Sequence, residues 1–318
     1  MLQRPKDFHL PYRNNRHPGS LRGRQRVPII TLMSELSPYS QIVVHGVGLI
    51  GGSVAAAVKR RWSECRVTGI GRRVERLQAA QDAGLLDDWA LCLADANVDP
   101  AAIVVICLPV DMIAAAVIES AEVTSTGVLI TDAGSVKQSI QKDVLRSDAA
   151  AIRFVGAHPI AGSEQNGFEY ADAELFVDRP CIVTSSSAAG PDREQRCQKF
   201  WLDLGANVSI LNPQEHDRIL AVTSHLPHVM AAVTASCTDS ADLRFVGTGF
   251  RDSTRVAAGD SGLWQQILCS NKLPVLNAIS KAEAALAELS AALHQDDHDS
   301  VAAILDRAAQ LRRSLEES

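Results

Sequence analysis

The stretch Val43-Val44-His45-Gly46-Val47-Gly48-Leu49-Ile50-Gly51-Gly52 decides the fold. An apolar run enters the pattern G-x-G-x-x-G, and an Ala-rich helical stretch leaves it. Each glycine has its own task in such a turn. The first permits the tight reversal, the second lets backbone approach a pyrophosphate, and the third lets helix and strand pack closely. The helix N-terminus then aims its free N–H groups at the phosphates. The pattern alone is weak, because a structural glycine turn can carry the same letters. Its position between a strand and a helix of a βαβ unit makes it a dinucleotide site. The expected cofactor contacts are Gly46, Gly48, Leu49, Ile50 and Gly51, with Leu108 and Pro109 at the end of a later strand.

Outward from this loop, short apolar runs alternate with helical stretches, the mark of a parallel α/β sheet. Strands are expected at Gln41–His45, Arg66–Ile70, Ile103–Leu108, Gly127–Thr131, Phe154–Ala157, Cys181–Thr184 and Asn207–Leu211. Helices are expected at about Gly51–Arg61, Val74–Ala83, Met112–Ser120 and Val136–Arg146. The character changes at Asn212-Pro213-Gln214-Glu215, where an N-cap, a Pro at the first helical position and a Glu three residues after the cap start a helix. That helix runs through about Val233, with a kink expected at Pro227. No strand pattern recurs afterwards. Leu276, Ile279, Ala282, Leu286, Leu289 and Leu293 form one apolar stripe; Val301, Ile304, Leu305, Ala308, Leu311 and Leu315 form another. Stripes with no sheet to cover bury against each other or a second subunit, so a homodimer through these helices is expected. The fold class is therefore α/β, a Rossmann-type parallel sheet domain followed by an all-α dimerisation and substrate domain. The expected boundaries are a basic, disordered tail over 1–37, a dinucleotide-binding domain over 38–212 and a helical domain over 213–318.

Composition narrows the class. With 318 residues, 46% hydrophobic and 21% charged, the chain has the makeup of a globular protein. The net charge of −6 argues against a nucleic-acid binder. No uninterrupted apolar run approaches the ~20 residues of a bilayer span, so no membrane insertion is expected. The seven cysteines (65, 92, 107, 181, 197, 237 and 269) lack C-x-x-C spacing and read as reduced cytoplasmic residues, mostly core. The first 35 or so residues hold Arg4, Lys6, Arg13, Arg16, Arg22, Arg24 and Arg26 among Pro, Asn and Gly. They read as a dispensable solvated tail, or as an upstream stretch if translation begins at Met33.

The end of the second strand selects the cofactor. NAD sites place an acidic residue there for the ribose 2′-hydroxyl. Here the strand ends Gly69-Ile70-Gly71-Arg72-Arg73. A carboxylate would repel a 2′-phosphate, whereas Gly with Arg72 and Arg73 admits and pairs with it. NADP is the expected cofactor, with NAD possible if these arginines merely open a solvated helix. Polar residues gather at later strand ends, notably Ser135 and His158. Ligands in open α/β sheets sit beyond those ends. An alcohol dehydrogenase needs a group to take the hydroxyl proton, and histidine suits neutral pH.

These motifs together resemble the prephenate/arogenate dehydrogenases of tyrosine biosynthesis. The resemblance rests on DAGSVK at 132–137, HPIAGSE at 158–164, HDRILAVTSHLPH at 216–228 and GFRDSTR at 249–255, with Trp264 beyond. It covers about Gln41 to Lys272. It implies oxidative decarboxylation, in which hydride leaves the hydroxyl-bearing ring carbon and CO2 departs as the ring becomes aromatic. By motif position, His158 and Ser135 resemble the catalytic pair. Arg255 resembles the clamp on a substrate carboxylate, and His228 a contact to the substrate side chain. His225 and Trp264 stand with the substrate residues, and Glu164 with Asp252 resembles an acidic pair at the pocket mouth. Without the resemblance, His225 and His228 read as core or capping histidines, His216 as an exposed first-turn residue and Arg251 as a surface contact. No metal is implied, and no ligand-spaced cluster argues for one.

Two rivals remain at this stage. β-Hydroxyacid dehydrogenases share the two-domain plan but use a lysine on the central helix, and Pro213–Val233 has none. A non-enzymatic NADP sensor would keep Gly46–Gly52 without reason to hold His158, Ser135 and Arg255. Between substrates, His228 suits the keto acid prephenate and Glu164 suits the amine of arogenate; prephenate is favoured. No fused chorismate mutase is expected before Gln41 and no regulatory domain after the helices, so tyrosine inhibition, if there is any, is expected only at the active site.

Overall fold

The computed structural model describes residues 37–162 and 165–315. The basic arm read from the sequence therefore lies, up to residue 36, outside the described residues. The first sheet has six parallel strands: β1 (Gln41–His45), β2 (Arg66–Ile70), β3 (Asp88–Ala90), β4 (Ile103–Ile106), β5 (Leu129–Asp132) and β6 (Phe154–Val155), in the order β3-β2-β1-β4-β5-β6. Between them run α1 (Leu49–Arg61), α2 (Val74–Asp82), α3 (Val110–Val123), α4 (Gln138–Val144) and the single turn α5 (Asp148–Ala151). The central strands are largely apolar because both faces of the sheet are covered. Ile42 and Val44 of β1 join one buried cluster with Phe200 and Trp201, while Val43 joins the other with Ile113 and Ile130. Connections leave β1 and β4 in opposite directions, which opens a crevice at their carboxyl ends.

The expected strand Phe154–Ala157 is two strands. β6 ends at Val155, and β7 (Ala157–Pro159) starts a second sheet, pairing antiparallel with β8 (Pro180–Thr184), which pairs in parallel with β9 (Asn207–Leu211). α6 (Pro191–Asp203) covers this sheet. Gly156 sits at the break between the two strands. β3 and α6 were absent from the sequence reading: β3 is only Asp-Trp-Ala, and α6 is mostly polar, with Cys197, Phe200 and Trp201 buried. Helix α4 is shorter than expected at both ends: Val136 and Lys137 stay in the loop, and the helix ends at Val144 rather than Arg146. All seven cysteines are free; Cys65, Cys181 and Cys197 are buried, Cys92 and Cys107 are half-buried, and Cys237 and Cys269 are exposed, so fewer lie in the core than expected.

After β9 the described chain is helical: α7 (Pro213–Leu220), α8 (Leu226–Ser236), α9 (Thr248–Thr254), α10 (Ser261–Ser270), α11 (Lys272–His294) and α12 (His298–Ser314). The Asn212 side chain accepts the Glu215 N–H at 2.8 Å, the cap that the sequence announces. α7 and α8 are joined through a π-helical turn at Ala221–His225, just before Pro227. Pro227 removes a hydrogen bond and crowds the carbonyl four residues back, and the wider turn accommodates both effects. The continuous helix Pro213–Ser236 has the length and hydropathy of a membrane span, by those criteria alone. Its His216, Asp217, His225 and His228 are all buried.

Candidate active site

In the glycine loop, Gly46 and Gly51 occupy places that only glycine fills. Gly46 has φ +102°, and a Cβ there would stand 2.5 Å from the Cys107 carbonyl oxygen. A Cβ on Gly51 would stand 2.1 Å from the Gly46 carbonyl oxygen, so helix and turn pack at contact distance. Gly48 faces open space and caps the N-terminus of α1, whose first turn holds Leu49, Ile50 and Gly51 without an acidic residue. A backbone cradle with free N–H groups and positive helix-end potential fits a pyrophosphate. Beside it lies a cavity of about 290 Å³ lined by Gly46, Gly48, Arg72, Arg73, Arg76 and Leu108 among others. Pro109 caps α3 at its edge. Arg76, missed in the sequence, pairs with Glu169 at 3.0 Å; nothing in the local pattern of α2 marked it.

A second cavity, of about 420 Å³, brings together Ser135, His158, His225, Arg255 and Trp264. These residues come from the loop after β5, from β7, from the π turn, from the end of α9 and from α10. Asp252 is exposed on α9 and does not line this cavity, and Glu164 lies outside the described residues. His228 is set one layer back, its ring stacked on Trp264 at 3.5 Å between centroids and 12° between planes. The indole thus stands beside both His225 and His228.

Behind His158 lies an arrangement the sequence concealed. His158 Nδ1 is 2.9 Å from His216 Nε2, and His216 Nδ1 is 2.7 Å from Asp217 Oδ1. His216 is 0% exposed, which corrects the reading of it as an exposed first-turn residue. Its helix turns that face onto β7 instead of to solvent. The Asp217 carboxylate also accepts the backbone N–H groups of Lys137 at 2.8 Å and Gln138 at 3.0 Å. Only a paired residue signal, His followed by Asp at a helix start, hinted at this.

Electrostatics fix the protonation. Burial, then repulsion from His216, Lys137 and His225, holds His158 well below the usual imidazole range. Burial lowers His216 as well, opposed by its hydrogen bond to Asp217. Burial lowers His225 to about 4. Its Nδ1 accepts from Asn271 Nδ2 at 3.0 Å, and the same amide donates to the Asp217 carbonyl oxygen at 2.8 Å. A neutral His225 therefore carries its proton on Nε2.

A glycine cradle at the sheet crevice and a buried neutral histidine in an adjoining cavity define an NAD(P)-dependent dehydrogenase. Residues 54–210 match the family model described as prephenate dehydrogenase, nucleotide-binding domain, and residues 212–307 match prephenate dehydrogenase, dimerization domain. The chain belongs to the prephenate dehydrogenase family. It is 31% identical over 271 residues to the cyclohexadienyl dehydrogenase of Zymomonas mobilis, covering 83% of this chain and 92% of that one. Against the prephenate dehydrogenase of Bacillus subtilis it is 30% identical over 284 residues, covering 86% and 76%. The crystal structure of prephenate dehydrogenase from Aquifex aeolicus in complex with hydroxyphenyl propionate and NAD+ superposes with a TM-score of 0.81 at 28% identity, covering 88% of this chain and 99% of that one. Synechocystis arogenate dehydrogenase shares the fold, with a TM-score of 0.75 at 24% identity over 86% and 99%.

Proposed function

We propose that this enzyme oxidatively decarboxylates prephenate to 4-hydroxyphenylpyruvate with NADP in preference to NAD, and that His158 is its base. The carrying observation is the buried row His158–His216–Asp217 behind a cavity that also holds Ser135 and Arg255. A carboxylate only accepts hydrogen bonds, so Asp217 assigns the His216 proton to Nδ1. His216 Nε2 then accepts the His158 Nδ1–H, which leaves a lone pair on His158 Nε2 for the substrate hydroxyl. As His158 takes that proton, its positive charge is met through His216 by Asp217, the logic of an acid-oriented histidine. Bound against Gly46–Gly51 and Arg72–Arg73, NAD(P)+ supplies the hydride acceptor. Arg255 offers a planar fork to the ring carboxylate until it leaves as CO2. Ser135, half-buried beside His158, hydrogen-bonds near the reacting carbon.

His225 Nε2–H is a neutral donor suited to a keto acid, which favours prephenate over the cation of arogenate. Arg72 and Arg73 at the end of β2, with no acidic residue there, favour NADP. We place the boundary between dinucleotide-binding and helical domains at Asn212. Leu286, Leu293, Leu305 and Leu311 lie exposed on α11 and α12, an apolar surface that supports a homodimer through these helices. Initial rates with prephenate and arogenate, each against NAD and NADP, test the reading. The highest kcat/KM with prephenate and NADP is expected; faster turnover of arogenate would reverse the substrate assignment, and turnover of neither would end it.

A further inference from the structure

Asp132 and Lys137 form an ion pair with both side chains withdrawn from solvent, at 0% and 1% exposure. Removing two charges from water is costly, and such a pair seldom stabilises a fold beyond apolar side chains of equal volume. Its remaining contacts converge on the row behind His158. Asp132 Oδ1 accepts the Ala157 N–H at 3.0 Å, and Lys137 Nζ donates to the Ala157 carbonyl oxygen at 2.8 Å. Both polar backbone groups of the residue before His158 are thereby fixed. Asp132 Oδ2 also accepts the Gly134 N–H at 2.9 Å, so the ion pair closes the loop that presents Ser135. The backbone N–H of Lys137 donates to the same Asp217 oxygen that accepts from His216. One residue therefore grips the strand of His158 with its side chain and the carboxylate that orients His216 with its backbone.

We propose that Lys137, braced by Asp132, is a positioning residue that sets the His158–His216 spacing and the proton order along it. This rests on the reading of His158 as the base. Lys137 does not line the substrate cavity, so it acts through the histidines rather than on substrate. Its charge also adds to the repulsion that keeps His158 neutral.

The double variant Asp132→Asn/Lys137→Met tests this, because it removes both charges at similar volume and strands neither. Displacement of a catalytic group by about 1 Å costs on the order of 100-fold. The expected result is a kcat loss of that order with KM for prephenate and for NADP within about twofold, and with NADPH binding retained. The single variant Lys137→Gln keeps a side-chain N–H donor beside Asp132, whose carboxylate retains the Gly134 and Ala157 N–H groups; it should show the same selective loss at about tenfold, and it decides the matter if the double variant does not fold. An unchanged kcat in a folded variant overturns the proposal. So does a parallel rise in KM for NADP with loss of NADPH binding, which would make the pair ordinary scaffold. His158→Asn, assayed alongside, separates the two readings: full activity there removes the base itself, not merely its positioning.

Discussion

Asp217→Asn is the sharpest test of the row behind His158. Asp217 is 1% exposed and its carboxylate receives three N–H groups, from His216, Lys137 and Gln138. An asparagine fits best with its oxygen toward His216 and Lys137, so its NH2 group meets the half-buried Gln138 N–H. The backbone donor left unpaired costs about 1–3 kcal/mol of stability. The catalytic loss comes from charge. At about 4 Å and an effective dielectric constant near 20, opposite unit charges attract by about 4 kcal/mol. With the proton on His158, roughly twice as far away, the attraction is about 2 kcal/mol. Losing about 2–4 kcal/mol in the transition state lowers kcat about 30- to 1,000-fold. The assay is NADPH formation at saturating prephenate, beside a thermal melt and an NADPH titration. A variant that melts early yet keeps kcat within about threefold would refute the row as a proton-orienting device and leave Asp217 a structural cap.

Three further outcomes follow from the same geometry. Arg255→Gln should raise KM for prephenate by about 10- to 100-fold, the size of a lost charge-assisted hydrogen bond, with a smaller effect on kcat; an unchanged KM would remove Arg255 from the carboxylate. Arg72→Gln/Arg73→Gln should raise KM for NADP about tenfold or more while leaving KM for NAD alone, as each 1.4 kcal/mol of lost pairing is about tenfold; equal effects on both cofactors would reject the 2′-phosphate assignment. His45 and His225 are both lowered by burial from 6.5 to about 4. The unfolded chain binds protons at these groups below about pH 6.5 while the folded chain refuses them until about pH 4. Their contribution to stability is therefore complete above pH 6.5 and falls as the pH drops toward 4. Melting temperatures from pH 8 to 4.5 should decline mainly below 6.5, and a flat or rising curve there would contradict the buried neutral state.

Much of the cofactor half was legible from residues alone. The Gly46–Gly51 turn and the Asn212 cap are set largely by sterics and hydrogen bonds close in the chain, while β1, β2 and β9 show as short strand-forming runs although their hydrogen bonds reach distant strands. Gly46 must be glycine because its φ is positive and the Cys107 carbonyl is against it. Short elements were less legible: β3 takes its conformation from pairing with β2, and α6 shows too few apolar residues for its period to stand out. Strand-end position marked Ser135 and His158, family resemblance refined their roles and added Arg255, and the folded chain gathers all three around one cavity.

What the sequence by itself determined was a dinucleotide turn, a parallel sheet, a helical second half and a set of motifs. It was silent on how His216 is used, because exposure is not a property of a helix but of what the helix meets. Residues 158 and 216 lie far apart in the chain, and their 2.9 Å contact exists only because α7 packs against the loop after β5 and the face of β7. Tertiary structure alone decided that His216 and Asp217 are buried, that Lys137 spans the gap between them and Ala157, and that His158 stays neutral there. Burial far from water is a collective outcome of packing, and no local pattern records it.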